Sequence, residues 1–386
     1  MKLLIISHTA HYQSESRILG WGATVREIDH LGSIFDQIVH LAPLHDSPAP
    51  DSAIAYQASN VVFHQVKPAG GDNIIDKLGI FTKIPGWLAA LRRDMKEMDA
   101  IHIRCPAGIS LVALLAARLW GWGKPVWVKY AGNWRSYPGQ ALSYKFQRFF
   151  LKHNLHRGVV TINGHCPGQP EHIYSFVNPS FSDEEFLQGS AFAREKQFSY
   201  PIKLLFVGNL SRPKGVDRLL EIAKKLNEIG FEFDLTLVGD GPDRPDFERF
   251  VKENSLAEHV HFAGWQPITA VHKYYREAHI FVFPSKSEGW PKVLSEAMSH
   301  GVVPIASGIG SIPEILEKAD AGHTIPLDGD PGAYVEMIIS FTQDVDRWKK
   351  ASLNGIRAAK DFTYEQYLKN VKKMFWDAWR LKLDDA

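Results

Sequence analysis

Cysteine is almost missing from this chain: Cys105 and Cys166 are the only two among 386 residues. Two thiols build neither a disulfide framework nor a cysteine-rich zinc site, and such sparing use is typical of a reducing compartment. Excess charge of one sign is missing too. The 44 Lys and Arg nearly cancel the 43 Asp and Glu, leaving a formal +1, so no bulk field favours nucleic acid or an acidic partner. Long apolar runs are absent, and none approaches the roughly 20 residues that a membrane-spanning helix needs. The opening MKLLIIS holds only a short apolar run, Leu3 to Ile6, before His8. That is too short for the apolar core of a secretory signal and reads as a buried first strand. No G-x-G-x-x-G follows that strand, which sets aside a dinucleotide-dependent oxidoreductase. The expectation is a cytoplasmic protein that can still lie peripherally on the inner face of a membrane.

What is present is a rhythm. With 45% hydrophobic and 23% charged residues, the composition is that of a globular protein, and its length calls for two domains. Short apolar runs recur, each followed by a turn and a helical pattern: KLLII, QIVHLA, AIHIR, PVWVKYAG and GVVTING. The series restarts at IKLLFVG (Ile202 to Gly208) and continues through FDLTLVGDG, VHFAGW, HIFVFPS and GVVPIAS. Continuous Val/Ile/Leu runs alternating with helices predict parallel sheets covered on both faces. The expected fold class is therefore α/β, with two doubly wound, Rossmann-like domains whose ligand crevices lie outside the carboxyl ends of the strands. The rhythm breaks in a polar stretch near residues 183–200. This places one domain over residues 1–190 and a second over 195–362. Residues 363–386 form a third segment, in which Tyr367, Val371, Phe375 and Trp379 recur at the four-residue spacing of one helix face.

The second half carries the denser chemistry. FVFPSKSEGWPKVLSEAMSHG (Phe281 to Gly301) reads as strand, loop and helix. Pro291 fits the first helical position, and Gly301 fits the residue that ends the helix. The free N–H groups and positive dipole end of such a helix favour an anion such as a diphosphate. Glu288 lies in the loop and Glu296 two turns further on. Two acids beside a diphosphate repel it unless they accept hydrogen bonds from hydroxyls, for which sugar and ribose are the obvious donors. The plain alternative is a solvated pair. LFVGNLSRPKGVDRLLEI adds a strand, a glycine turn at Gly208, a basic loop with Arg212 and Lys214, and a helix from about Val216. Basic side chains at a strand's carboxyl end suit a diphosphate by charge and hydrogen bonding.

In this order, GNLSRPKG, VGDGP, FAGW, PSKSEGWPKVLSEAMSHG and SGIGSIPEIL resemble the motifs of the retaining nucleotide-sugar glycosyltransferases of family 4, which have the GT-B fold. The resemblance is close over Ile202 to Ile325 and holds only in outline before it. It implies two Rossmann-like domains facing across a cleft, with the C-terminal helix returning to the first. It implies a hexosyltransferase-type enzyme moving a sugar from a nucleotide-diphosphate donor to the hydroxyl of a glycan, a lipid-linked sugar or a small molecule. Glu288 would meet hydroxyls of the transferred sugar and Glu296 those of the ribose. Lys214 and Arg212 would neutralise the diphosphate, and Gly208, Asn209, Gly289, Trp290, Pro291, Lys292 and Val293 would line the donor. Asn209 stands where the family usually has arginine, so Arg212 would supply that charge from three residues on. With protein cations at hand, no metal and no cofactor is expected, and the Asp328–Asp330 run reads as a plain loop. Two rivals share the outline: a GT-B-like sugar-nucleotide epimerase, which would not need the glutamate motif, and a non-catalytic sugar-nucleotide binding protein.

The first half would carry the acceptor. His8 and His11 follow the first strand, Arg104 ends another, and Tyr130 and Asn133 occupy a strand end where the family often has histidine. Strand-end position is their only signal. His102, beside Arg104, is expected near the acceptor on the same ground. From Tyr144 to Arg157, Phe146, Phe149 and Phe150 alternate with Lys145, Arg148 and Lys152. Such a basic amphipathic helix can lie on anionic lipid, which makes a peripheral membrane contact the remaining expected partner.

Overall fold

The computed structural model describes residues 1–386 apart from 16, 70–78, 122, 135–139, 167, 289–290 and 385–386. The chain divides into two units, Met1–Phe176 with Tyr367–Ala386, and Val177–Gln366.

The first unit contains β1 (Lys2–Ile6), β2 (His11–Ser14), β3 (Arg17–Trp21), β4 (Gln37–His45), β5 (Ala53–Ala55), β6 (Val61–Val66), β7 (Ala100–Cys105), β8 (Val126–Tyr130), β9 (Val159–Asn163) and β10 (Ile173–Phe176). Its parallel strands run β10-β9-β8-β7-β1-β4, with β6 also paired to β4. Strands β2, β3 and β5 extend the far end of β4 as a small, partly antiparallel addition. Successive strand residues point to opposite faces, and the two cores follow that rule. Leu4, Ile6, Ile101 and Ile103 pack under helices Ile80–Glu97, Gly108–Trp120 and Leu142–Lys152. Leu3, Ile5, Ala100 and Trp127 pack on the other face with helices Gly22–Leu31 and Tyr364–Trp379. The last helix contributes Tyr367, Val371, Met374 and Phe375 to that core, all buried.

The second unit is a parallel sheet of β11 (Ile202–Val207), β12 (Phe233–Val238), β13 (Val260–Gly264), β14 (Ile280–Phe283), β15 (Val303–Ser307) and β16 (His323–Ile325). The spatial order is β13-β12-β11-β14-β15-β16. Every residue of β14 and β15 is buried, which is why both read as unbroken apolar runs. The strand order reverses between β11 and β14. The crevice at the carboxyl ends of strands flanking such a reversal is where doubly wound sheets bind ligands.

The polar stretch near residues 183–200 is largely a helix, and the division between the units falls before it, at Val177. Asp183–Arg194 is a helix opened by a capping box: the Ser182 hydroxyl accepts from the Glu185 N–H and the Glu185 carboxylate accepts from the Ser182 N–H. Its first turn carries Asp183, Glu184 and Glu185, which complement the helix dipole and gave the stretch its linker-like polarity. It belongs to the second unit, which begins at Val177. Likewise, of the aromatic and basic pattern from Tyr144 to Arg157, the part up to Lys152 lies on helix Leu142–Lys152 and residues 153–157 are a turn beyond it. Among the described residues no helix is long and apolar enough to cross a membrane.

Candidate functional site

Two loops leave the sheet of the second unit at its reversal point. The first follows β11 through Gly208 and Asn209 into a 3-10 turn, Arg212–Lys214, and ends at Gly215. Gly215 has φ +74°, and a Cβ there would lie 2.0 Å from the carbonyl oxygen of Pro284. Only glycine allows the two loops to approach this closely. The Lys286 N–H donates to the Pro213 carbonyl (3.0 Å) and ties the loops together. The second loop follows β14 through Ser285 and Glu288 to helix Lys292–Ser299. Pro291 stands just before the first helical residue, at its cap, and Gly301 ends the segment at φ +66°.

This framework puts Lys214 against Glu288. The Lys214 ammonium pairs with the Glu288 Oε1, which also accepts from the buried Ser285 hydroxyl at 3.0 Å. Residues 74 positions apart thus meet in the loops that follow β11 and β14. Glu296 lies on the helix itself, with Oε2 accepting from the Tyr275 hydroxyl at 3.0 Å. Tyr275, on helix Ile268–Glu277, is buried, and its phenol is pushed well above its ordinary pKa by burial and by the Glu296 carboxylate. It therefore stays a donor. Its hydroxyl also lies 3.3 Å from the Val293 carbonyl. Lys292 is half-buried, 5.8 Å from the ring of Tyr364.

Arg212 lies apart from this group. Its N–H donates to Asp243 (2.8 Å) and its guanidinium faces Asp246 at 3.6 Å while 61% exposed. It lines a hollow with Asp217, Asp246 and Lys286. Asn209 is exposed. Gly289 and Trp290 lie outside the described residues. Asp330 caps helix Pro331–Gln343, accepting from the Ala333 N–H at 3.0 Å. Among the described residues no three His, Cys, Asp or Glu side chains are grouped to hold a metal ion.

In the first unit, His8 is exposed just past β1. His11 is buried in a polar knot: Nδ1 bonds the Thr9 carbonyl and Nε2 the Tyr56 hydroxyl, each at 2.8 Å, and His40 shares that hydroxyl. Burial lowers the His11 pKa to about 4, so the ring is neutral at ordinary pH. Arg104 and Lys129 both donate to Glu27 Oε1 at 2.7 Å, and Tyr367 adds a third donor at 3.1 Å. Tyr130 is buried edge-on to Trp134, and Asn133 is half-buried. His102 does not reach a crevice. Strand alternation turns it into the core, where it stacks on Trp127 at 3.8 Å.

Tyr275, Ser285 and Glu27 were not singled out from the sequence. Ser285 lies within the segment PSKSEGWPKVLSEAMSHG, whose order of residues is its signal. Tyr275 and Glu27 reach their partners across 21 and 77 residues, and no local pattern marks them.

Comparison with known proteins bears on this geometry. Residues 190–358 match the family described as Glycosyl transferases group 1. The amylovoran biosynthesis glycosyltransferase AmsK of Erwinia amylovora is 29% identical over 149 residues, 37% of this chain and 36% of that protein. The N-acetyl-alpha-D-glucosaminyl L-malate synthase of Bacillus anthracis is 28% identical over 165 residues, 42% and 41% of the two chains. The matches thus span less than half the length of these curated relatives. In structure, the chain is similar to a sucrose-phosphate synthase from Thermosynechococcus elongatus (TM-score 0.69, 17% identity, covering 98% of this chain and all of that one). It is equally similar to HepE of Anabaena in complex with UDP (TM-score 0.70, 16% identity, 98% and 100%). The chain has the two-domain α/β fold of GT-B proteins, and residues 190–358, within the second unit, are similar to the glycosyltransferase group 1 family.

Proposed function

We propose that the chain is a retaining, metal-independent glycosyltransferase that moves a hexose from a nucleotide-diphosphate donor to the hydroxyl of a glycan, a lipid-linked sugar or a small molecule. The observation that carries this reading is the pairing of Lys214 with Glu288 in the loops that follow β11 and β14, the second of which leads to the helix bearing Glu296. The relatives named above and the UDP held by a structural neighbour add support. A lipid-linked acceptor would bring the protein to a membrane surface.

The bond that breaks joins the anomeric carbon to the diphosphate oxygen, and negative charge grows on the leaving group. Lys214 and the N–H groups at the start of Lys292–Ser299 are fixed donors for that charge, and preorganised donors lower such barriers most. Arg212 would join them on exchanging Asp246 for phosphate. Glu288 would accept from sugar hydroxyls, becoming a better partner as the ring turns cationic, and Glu296 would accept from the ribose. The acceptor oxygen bonds to the same face of the anomeric carbon, and its proton passes to the departing phosphate oxygen. No protein base is then needed, and positioning supplies much of the remaining acceleration.

The test begins with thermal shifts in UDP, GDP, ADP and CDP. A ligand at a hundred times its Kd stabilises the fold by about 2.7 kcal/mol, and one base should do so well above the others. Labelled sugar on that nucleotide should then appear on an acceptor hydroxyl with its anomeric configuration kept. Inversion at a ring carbon without transfer would identify an epimerase. Tight nucleotide binding with no turnover would identify a binding protein. No response to any nucleotide would sink the donor site itself.

A further inference from the structure

Residues 100–170 contain nine Lys or Arg and not one Asp or Glu. Against a chain charge of +1, this is a strongly one-sided segment. Arg104 and Lys129 spend their charge internally on Glu27. Most of the rest lie on helices Gly108–Trp120 and Leu142–Lys152 or just beyond them.

Helix Leu142–Lys152 buries Gln147, Phe150 and Leu151. Its outer face should then be polar. Instead that face carries Leu142 (81% exposed), Phe146 (47%) and Phe149 (54%), interleaved with exposed Lys145 and Lys152. The spacing of three and four residues sets them in one stripe about 16 Å long. Helix Gly108–Trp120 packs against it within the same core and exposes Leu115 and Leu119. Single exposed apolar side chains are ordinary, whereas a row of them marks a surface that meets something.

We propose that the outer face of Leu142–Lys152, with Leu115 and Leu119 of the helix packed on it, docks onto an anionic lipid bilayer. Aromatic rings interleaved with basic groups on one helix face are what the bilayer interface accommodates: rings enter the headgroup boundary while ammonium groups meet lipid phosphates. A soluble polyanion would need the charges and leave the phenylalanines in water. A protein partner would leave the acid-free composition without purpose. This surface does not depend on the sugar-transfer reading, and its test contains no nucleotide.

The experiment is flotation of the full chain with vesicles of phosphatidylcholine alone or mixed with phosphatidylglycerol. The protein should rise with the anionic vesicles at low ionic strength, stay behind with the neutral ones, and be released as salt is added. Lys145→Gln with Lys152→Gln should lower the partition coefficient about thirtyfold, at the usual contribution of a basic residue near such a surface. Phe146→Ser with Phe149→Ser should lower it about tenfold or more. All four side chains are exposed, so circular dichroism and melting should stay at wild-type values. Leu142→Ser serves as a second apolar variant. No flotation with anionic vesicles at low salt overturns the proposal. So does a phenylalanine variant that floats like the wild type while both bind dextran sulfate equally, since charge alone would then be at work. A lipid-free dimer that the phenylalanine changes convert to a monomer would assign the face to a second copy of the chain, and would overturn it too.

Discussion

Glu288 and Glu296 stand eight positions apart, yet their partners differ in kind. Glu288 faces a cation, Lys214, and a buried serine, while Glu296 is held by a neutral phenol. A contact that strengthens in the transition state raises kcat, and one made equally throughout only tightens binding. Glu288→Gln should therefore cut kcat strongly and leave affinity for the bare nucleoside diphosphate nearly intact. Glu296→Ala should weaken that affinity by about 1–3 kcal/mol, the value of a lost buried acceptor. Calorimetric titration beside turnover assays separates the two. The reverse pattern would mean that the donor lies the other way round. Tyr275→Phe should also weaken nucleotide binding, by acting through Glu296. In a double-mutant cycle its effect should vanish once Glu296 is alanine, whereas full additivity would make Tyr275 a packing residue only.

Lys196 is a second residue whose chemistry is set by its surroundings. Its ammonium donates to the carbonyls of Tyr275 (2.9 Å) and Ala278 (2.7 Å) at the end of the helix that carries Tyr275. Burial lowers its pKa from 10.5 to about 7. The unfolded chain then binds the extra proton more readily than the fold does. Stability should accordingly rise with pH between about 7 and 10.5, the destabilisation being complete below the lower value and absent above the upper. The neutral amine keeps two N–H groups for the same two carbonyls. Denaturant titrations of Lys196→Met against wild type should show the wild type gaining ground as pH rises through that window. A difference that stays constant with pH would contradict the lowered pKa.

At the scale of elements, the approach of the two loops is the critical feature. Gly215 combines a left-handed backbone with a contact that no Cβ can make. Gly215→Ala should destabilise the fold by at least about 2 kcal/mol, from backbone strain and from separation of the loops, and should weaken nucleotide binding in proportion. An unchanged melting temperature would show that the loops can part freely. The helix beginning at Lys292 is the other element at work. Because its N–H groups and Lys214 offer positive charge without an ion, turnover should survive dialysis and excess chelator. Complete loss that magnesium or manganese restores would defeat the metal-independent mechanism.

The whole molecule depends on its last helix. Tyr367, Val371, Met374 and Phe375 complete one face of the first unit, and Tyr367 also donates to Glu27. Burying four such side chains contributes about 6–12 kcal/mol, comparable with the net stability of a domain, about 5–15 kcal/mol. A chain ending at Gln366 should therefore lose protease resistance over residues 1–176. Residues 177–366 should stay protected, because their sheet and core are their own. Equal survival of both units would show that the first needs no such cover.

Much of this was legible locally. The two series of apolar strands, a helix start near Pro291, the turn at Gly301 and the choice of Lys214, Glu288 and Glu296 as candidates all follow from patterns a few residues long. Buried parallel strands are apolar throughout and glycine marks special backbone, and both signals survive without knowledge of the fold. The order of the strands did not, nor did the reversal between β11 and β14 that brings the two loops together. Polar composition suggested a boundary at 183–200, where a capped helix stands. Arg212 and Lys214 are two residues apart in one basic loop, and only the tertiary structure turns one to Asp246 and the other to Glu288. The cluster of Glu27, Arg104, Lys129 and Tyr367 spans 340 positions. Periodicity records which face of an element is buried, because burial is a property of each residue along its own strand or helix. Which distant side chain meets it there depends on how elements pack, and that is settled only when the whole chain has folded.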